Sequence, residues 1–128
     1  MAAASGVLAR LLGAAYLPAF QLAVIPADPA TGHDVFEVSA GAGGALAIAG
    51  NTGVALSSGL HYYLKHYCNA SISWGRAGTG NQLSSVPAPS SLPRPPAPVH
   101  VVANVPIRYT DKCVCACASA AAHLLVRA

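Results

Sequence analysis

The sequence predicts an α+β fold, a small and mostly antiparallel sheet of three to five strands with two helices packed on one face, and three observations predict it. Short strand-like segments, Phe20 to Ile25, Val35 to Ser39 and Leu46 to Ala49, are separated by glycine and proline punctuation. From Gly53 onward the apolar spacing switches from period two to that of a helix. A chain of 128 residues has room for one ordinary domain with its own core. It has no room for a (β/α)₈ barrel, which needs about 250 residues.

At the amino terminus, Leu8, Leu11, Leu12 and Ala15 recur at spacings of three and four. One apolar helix face requires that spacing, so a short helix is predicted over Val7 to Tyr16 with Arg10 on its far side. The stretch is apolar enough to resemble a secretory leader, yet Arg10 falls inside the apolar part and no basic residue precedes it. That order is the reverse of a leader's, so none is assigned. No apolar run reaches the ~18 residues of a membrane span, and no membrane partner is expected.

Phe20 to Ile25 reads as a strand halted by Pro26 and Pro29, which a central strand does not tolerate. In Val35 to Ser39, residues Val35, Glu37 and Ser39 share one side while Phe36 and Val38 share the other, as in a strand with one covered face. Gly41, Gly43 and Gly44 mark a turn, and Leu46 to Ala49 follows, so these two strands are predicted to pair as a hairpin. Asn51 and Thr52 then offer helix caps. Leu56, Leu60, Tyr63 and Tyr67 form an apolar stripe, with Ser58, His61 and Lys65 turned away. Gly53, Ser57 and Gly59 keep part of this helix slim enough for close approach to a sheet. Ile72 to Trp74 reads as an edge segment and 75 to 80 as a loop. Six prolines between Val86 and Pro98 predict an extended connector. Val99 to Val102 returns as a strand, and Val105 to Tyr109 runs outward.

Charged residues make up 9% of the chain, against about 25% in a typical soluble domain. Such a surface is expected to be partly covered. The seven Lys and Arg residues give a net charge of +3 but form no stripe, so no nucleic-acid partner is expected.

The residues offer little chemistry. Retaining glycoside hydrolysis needs two carboxylates about 5 Å apart, and the chain has only Asp28, Asp34, Glu37 and Asp111. Asp34 and Glu37, three apart on a strand, would project to opposite faces. Ser57 and His61 lie one helical turn apart, but no acid is placed to orient the imidazole, and a solvated helix face is the better reading. His61 and His66 are five apart and cannot share an ion as an i, i+4 pair could. Trp74 with Tyr62, Tyr63 and Tyr67 could form a sugar platform, though packing between helix and sheet accounts for most of them. Cys68 stands alone, and Cys113, Cys115 and Cys117 have no second knuckle to complete a zinc site. No catalytic, cofactor or metal-binding residue is assigned. Asn69-Ala-Ser71 is an N-glycosylation sequon at the exit of the second helix.

The run from Ala49 to Cys68, a strand, a Gly-x-Thr-Gly turn and a helix containing Gly-Leu-x-x-Tyr-Leu, resembles the corresponding stretch of α-N-acetylglucosaminidases. Those lysosomal glycoside hydrolases remove terminal N-acetylglucosamine from heparan sulfate. Val7 to Gly13, Phe20, Ser73-Trp74, Gln82-Leu83 and Leu92-Pro-Arg-Pro95 extend the likeness in the same order. The resemblance implies the family's non-catalytic amino-terminal domain over residues 1–109, including a Pro-rich connector at 86–98. Its partner in the family is the catalytic barrel of the same chain, which carries two catalytic glutamates. It also implies a lysosomal or secretory location and no enzymatic activity for these residues alone. A stand-alone carbohydrate- or protein-binding module and a truncated non-functional isoform are the alternatives.

After Tyr109 the likeness stops, and residues 110–128 are expected to be a divergent, poorly ordered tail. A truncated, alternatively spliced or misread transcript explains such a tail. Sequencing the message across the Tyr109 codon tests this, and an uninterrupted junction in mature message counts against misreading.

Overall fold

The structure, a computed structural model, describes residues 2–73 and 81–105. Its elements in chain order are α1 (Ala2–Leu12), a 3-10 segment (Ala14–Ala19), β1 (Phe20–Val24), β2 (Val35–Ala40), β3 (Leu46–Gly50), α2 (Gly53–Tyr67) and β4 (Val99–Val102). The four strands form one sheet in the order β1-β3-β2-β4. Two of its three pairings are antiparallel, β2 with β3 and β2 with β4, so the expected hairpin forms. The third is parallel, with β1 beside β3 from Phe20↔Leu46 to Val24↔Gly50. Among the described residues no helix is long and apolar enough to cross a membrane.

Alternation along the strands decides the layering. Phe36 and Val38 of β2 and Leu46 and Ile48 of β3 turn to one face and are buried in the core, together with Phe20 at the head of β1. Against that face lies α2, capped at its start by Thr52, whose hydroxyl accepts from the Ala55 amide at 3.0 Å. Its buried stripe is wider than the sequence spacing predicts. It comprises Ala55, Leu56, Gly59, Leu60, Tyr63 and Leu64, while Tyr67 at the helix end is only half-buried.

Two glycines set how close helix and sheet come. A Cβ built on Gly50 would lie 2.8 Å from the Leu56 amide nitrogen, and one on Gly59 would lie 2.9 Å from Cγ2 of Ile48. Any larger residue would force the layers apart and forfeit dispersion contacts across the interface. The core then closes through aromatic packing, with the rings of Phe20 and Tyr63 edge-to-face at 5.9 Å and 85°.

The first helix differs from its predicted bounds. It begins at Ala2 and stops at Leu12, because Gly13 adopts φ 98 and breaks the helical path. Ala15 is consequently exposed in the 3-10 segment, and Ala4 joins Leu8 as a buried contact. Of the two described α-helices, α2 lies along the sheet, and α1 packs chiefly on α2 and the 3-10 segment.

The proline-rich stretch is a wall of the domain rather than a free connector. Val86 and Leu92 pack on the core and Pro95 is buried. Proline leaves its carbonyl free to accept, and two tyrosines use this. Tyr16 donates to the Pro87 carbonyl at 3.0 Å and Tyr63 to that of Pro93 at 2.8 Å. Beyond α2, Ser71 pairs with Gln82 in an isolated bridge, and no strand follows over Ile72 and Ser73. Trp74, the loop 75–80, the outward run after Val105 and the tail lie outside the described residues.

The two glycine environments give a paired expectation. Gly50→Ala meets backbone that cannot yield and should lower stability by about 1–3 kcal/mol. Gly53→Ala meets nothing within 4 Å and should be neutral or raise stability by up to about 1 kcal/mol. Chemical denaturation of the two variants beside the parent checks both signs.

Candidate functional site

The strand, turn and helix from Gly50 to Cys68 use their polar groups to fasten the fold. Asn51 receives the Val35 amide on Oδ1 at 3.0 Å and donates from Nδ2 to Oδ1 of Asp34 at 3.1 Å. The Asp34 carbonyl accepts from the Ala103 amide at 2.7 Å, and the ring nitrogen Nδ1 of His33 lies 2.7 Å from the Ala103 carbonyl oxygen. One asparagine thus ties the end of β3 to the start of β2, which in turn holds the exit of β4. Such a network fixes chain direction and leaves the Asp34 carboxylate engaged.

The other described carboxylates are also engaged. Asp28 accepts from the amide and hydroxyl of Thr31 at 2.8 and 2.6 Å. These bonds hold its carboxyl below the ordinary aspartate value, the Thr31 hydroxyl contributing most. Glu37 meets Nδ1 of His100 at 3.0 Å across the β2–β4 pairing, in an exposed contact of small energetic weight. Asp34 and Glu37 serve different neighbours and form no acid/base pair.

The Ser57 hydroxyl donates to the Gly53 carbonyl of its own helix at 2.9 Å, so it is not prepared as a nucleophile for His61. His66 stacks on Tyr62 with ring centroids 4.3 Å apart, and no cluster of three or more metal-ligating side chains occurs among the described residues. Tyr63 is fully buried and stacks on Tyr67 at 5.6 Å, while Tyr62 leans on Phe36 at 5.7 Å. These rings build core, and Trp74, the remaining member of the sugar-platform reading, lies outside the described residues. Burial pushes the Cys68 thiol up, partly opposed by its hydrogen bond with Tyr63.

One feature the sequence does not reveal is a hollow of about 430 Å³ beside the helix-free face of the sheet, lined by Ile25 to Pro29, Val35, Glu37 and His100. The β2–β4 register brings His100 to Glu37, 63 residues away, and the turn after Ile25 brings Asp28 to the same place. No local pattern encodes that meeting. The hollow is open and largely apolar, and its two carboxylates already have partners. Asn69 stands at the opposite end of the architecture, exposed just after α2 with φ 52.

Fold and side chains together define a small open-faced α+β domain whose described carboxylates are all bonded to neighbouring groups of the domain. The chain belongs to the family described as the α-N-acetylglucosaminidase (NAGLU) N-terminal domain, whose sequence profile matches residues 2–94. It is 35% identical over 113 residues to human α-N-acetylglucosaminidase, an alignment covering 84% of this chain and 14% of that protein. Among solved structures it is similar to a family 89 glycoside hydrolase from Clostridium perfringens in complex with PUGNAc, with TM-score 0.67 and 32% identity over 79% of this chain and 10% of the other. A variant from the same organism, in complex with its substrate GlcNAc-alpha-1,4-galactose, gives TM-score 0.66 at 32% identity and the same coverage. The relatives are glycosidases several times longer, and these residues correspond to a small part of them.

Two solution measurements follow. Alkylation of Cys68, read at its own peptide by mass spectrometry, should be at least about tenfold slower in the folded chain than in denaturant. The Thr31 amide resonance should report a carboxyl midpoint below the ordinary aspartate value, and Thr31→Ala, which removes the hydroxyl but keeps the amide donor, should raise it part of the way back when followed on the Asp28 side chain. The tie follows the sign of a depressed carboxylate. It is complete above the unfolded-state value and lost as pH falls through the folded one.

Proposed function

We propose that these residues act as the non-catalytic amino-terminal domain of an α-N-acetylglucosaminidase-like glycosidase, packing beside a catalytic barrel and contributing to folding and assembly. The observation that carries this reading is the family match over residues 2–94, on a domain whose described carboxylates are all engaged in structural bonds. The usual glycosidase mechanism needs two carboxylates placed about 5 Å apart, and the described residues supply no such pair. The domain is taken as residues 1–109, with 110–128 as a divergent tail. Removal of terminal N-acetylglucosamine from heparan sulfate, and a lysosomal or secretory location, belong to the same reading through the family resemblance of residues 49–68.

A sparsely charged surface fits a role of this kind, since charged groups are depleted where a domain is to be covered. Val24 and Val54, 60% and 61% exposed, are apolar side chains that such a neighbour would shield. The hollow beside Glu37 and His100 favours one second reading, a carbohydrate-binding module, because its volume falls in the range of small-ligand sites.

Three results separate these readings. The purified 128-residue chain is expected not to hydrolyse an aryl N-acetyl-α-glucosaminide, and turnover above a no-protein control would overturn the non-catalytic role. A chimera carrying residues 1–109 in place of the matching segment of the human enzyme is expected to be soluble and to turn over substrate within about tenfold of the parent. Saturable binding of an N-acetylglucosamine disaccharide to the isolated chain, lost in Glu37→Ala, would favour the binding module instead.

A further inference from the structure

We propose that Asn69 is a site of N-linked glycosylation and that the carboxy-terminal end of α2 is consequently a permanently solvent-facing surface of the domain. Asn69-Ala-Ser71 is the single Asn-x-Ser/Thr triplet in the chain, and neither x nor the following Ile72 is proline. The sequence supplies the triplet. The structure supplies its placement.

Asn69 is the one described non-glycine residue with positive φ, at 52, immediately after the Cys68 cap. Asparagine tolerates this left-handed conformation better than most side chains. The backbone around it is fixed. The Ala70 amide donates to the Leu64 carbonyl at 2.9 Å with Ala70 buried, and the Ser85 hydroxyl donates to the Asn69 carbonyl at 2.9 Å. These bonds spend main-chain groups and leave the exposed Asn69 carboxamide outside the network. Ser71 likewise makes its two bonds to Gln82 through backbone atoms.

The surroundings are suited to a glycan. Lys65, His66, Gln82, Ser84 and Ser85 are exposed and polar, whereas exposed Val54 lies at the opposite end of α2. None of the exposed large apolar side chains among the described residues, Leu17, Val24, Val54 and Val105, belongs to the segments around Asn69. A hydrophilic oligosaccharide at Asn69 would bar a large partner from that end of the helix, so a neighbouring domain must pack elsewhere. In the transfer, Nδ2 of Asn69 bonds to the anomeric carbon of a lipid-diphosphate-linked oligosaccharide. The anomeric C–O bond breaks, the lipid diphosphate leaves with the electron pair, and one amide proton is released.

The inference rests on the proposal that the chain enters the secretory pathway, so its test supplies that entry. The full 128-residue chain is expressed behind a cleavable secretory leader in mammalian cells and treated with peptide-N-glycosidase. A shift of one glycan is expected in the parent and in Ser71→Thr. It should vanish in Ser71→Ala and in Asn69→Gly, the latter keeping a residue suited to positive φ. The glycan should also be released without denaturation. No shift in a chain whose leader has been cleaved, or a shift that survives Asn69→Gly, would overturn the site. Release only after denaturation would overturn the solvent-facing placement. Failure of the secretory reading shows separately, as natural protein isolated from its own cells that carries no peptide-N-glycosidase-sensitive glycan at Asn69 while the leader-bearing chain is modified.

Discussion

The fold depends on how closely α2 approaches β3. At Gly50 and Gly59 the absent side chains let backbone and helix meet at van der Waals distance, and Leu56, Leu60 and Tyr63 fill the space around that contact. Everything else is arranged about it. β2 pairs on one side of β3 and β1 on the other, α1 lies over α2, and the proline-rich segment closes the edge by accepting the Tyr63 hydroxyl. The turn between strand and helix joins in through Thr52, which caps the helix, and Asn51, which ties it to β2.

This dependence explains why the strand–turn–helix run is so specific in form yet chemically idle. Glycine at positions 50 and 59 is needed for clearance, Thr52 and Asn51 for bonds to main chain, and the tyrosines for volume. The Tyr63 hydroxyl is spent on a carbonyl, and burial raises its proton affinity well above the ordinary phenol. The described groups that give the segment its form, Gly50, Asn51, Thr52, Gly59 and Tyr63, are thus engaged in packing and main-chain bonds.

Much of this was legible in the sequence, for identifiable reasons. The second helix shows plainly because apolar residues spaced four and three apart have no other economical use, and the hairpin shows because Gly41 to Gly44 leaves only a turn between two alternating runs. The start of α1 was not legible, since an alanine-rich run gives no periodic contrast and only the Gly13 backbone stops it. The parallel partner of β1 and the antiparallel partner of β4 were hidden too, because pairing across long loops leaves no local pattern. The proline run suggested a spacer because composition reports stiffness but not the tyrosines that dock on its carbonyls. At the level of sites, the separation of Asp34 from Glu37, which bond different neighbours, was readable from spacing. The hollow joining Asp28, Glu37 and His100 was not, because it follows from the β2–β4 register.

The central claim is that α2 and the β2–β3 hairpin form one cooperative unit and that the family signature encodes this unit rather than a reactive site. Native-state amide hydrogen exchange on the 128-residue chain tests it most directly. The account predicts that amides of β3 and of Leu56 to Leu64 exchange together, as the slowest set and with one common opening free energy. Exchange of α2 well before β3, as an independently opening helix, would contradict it.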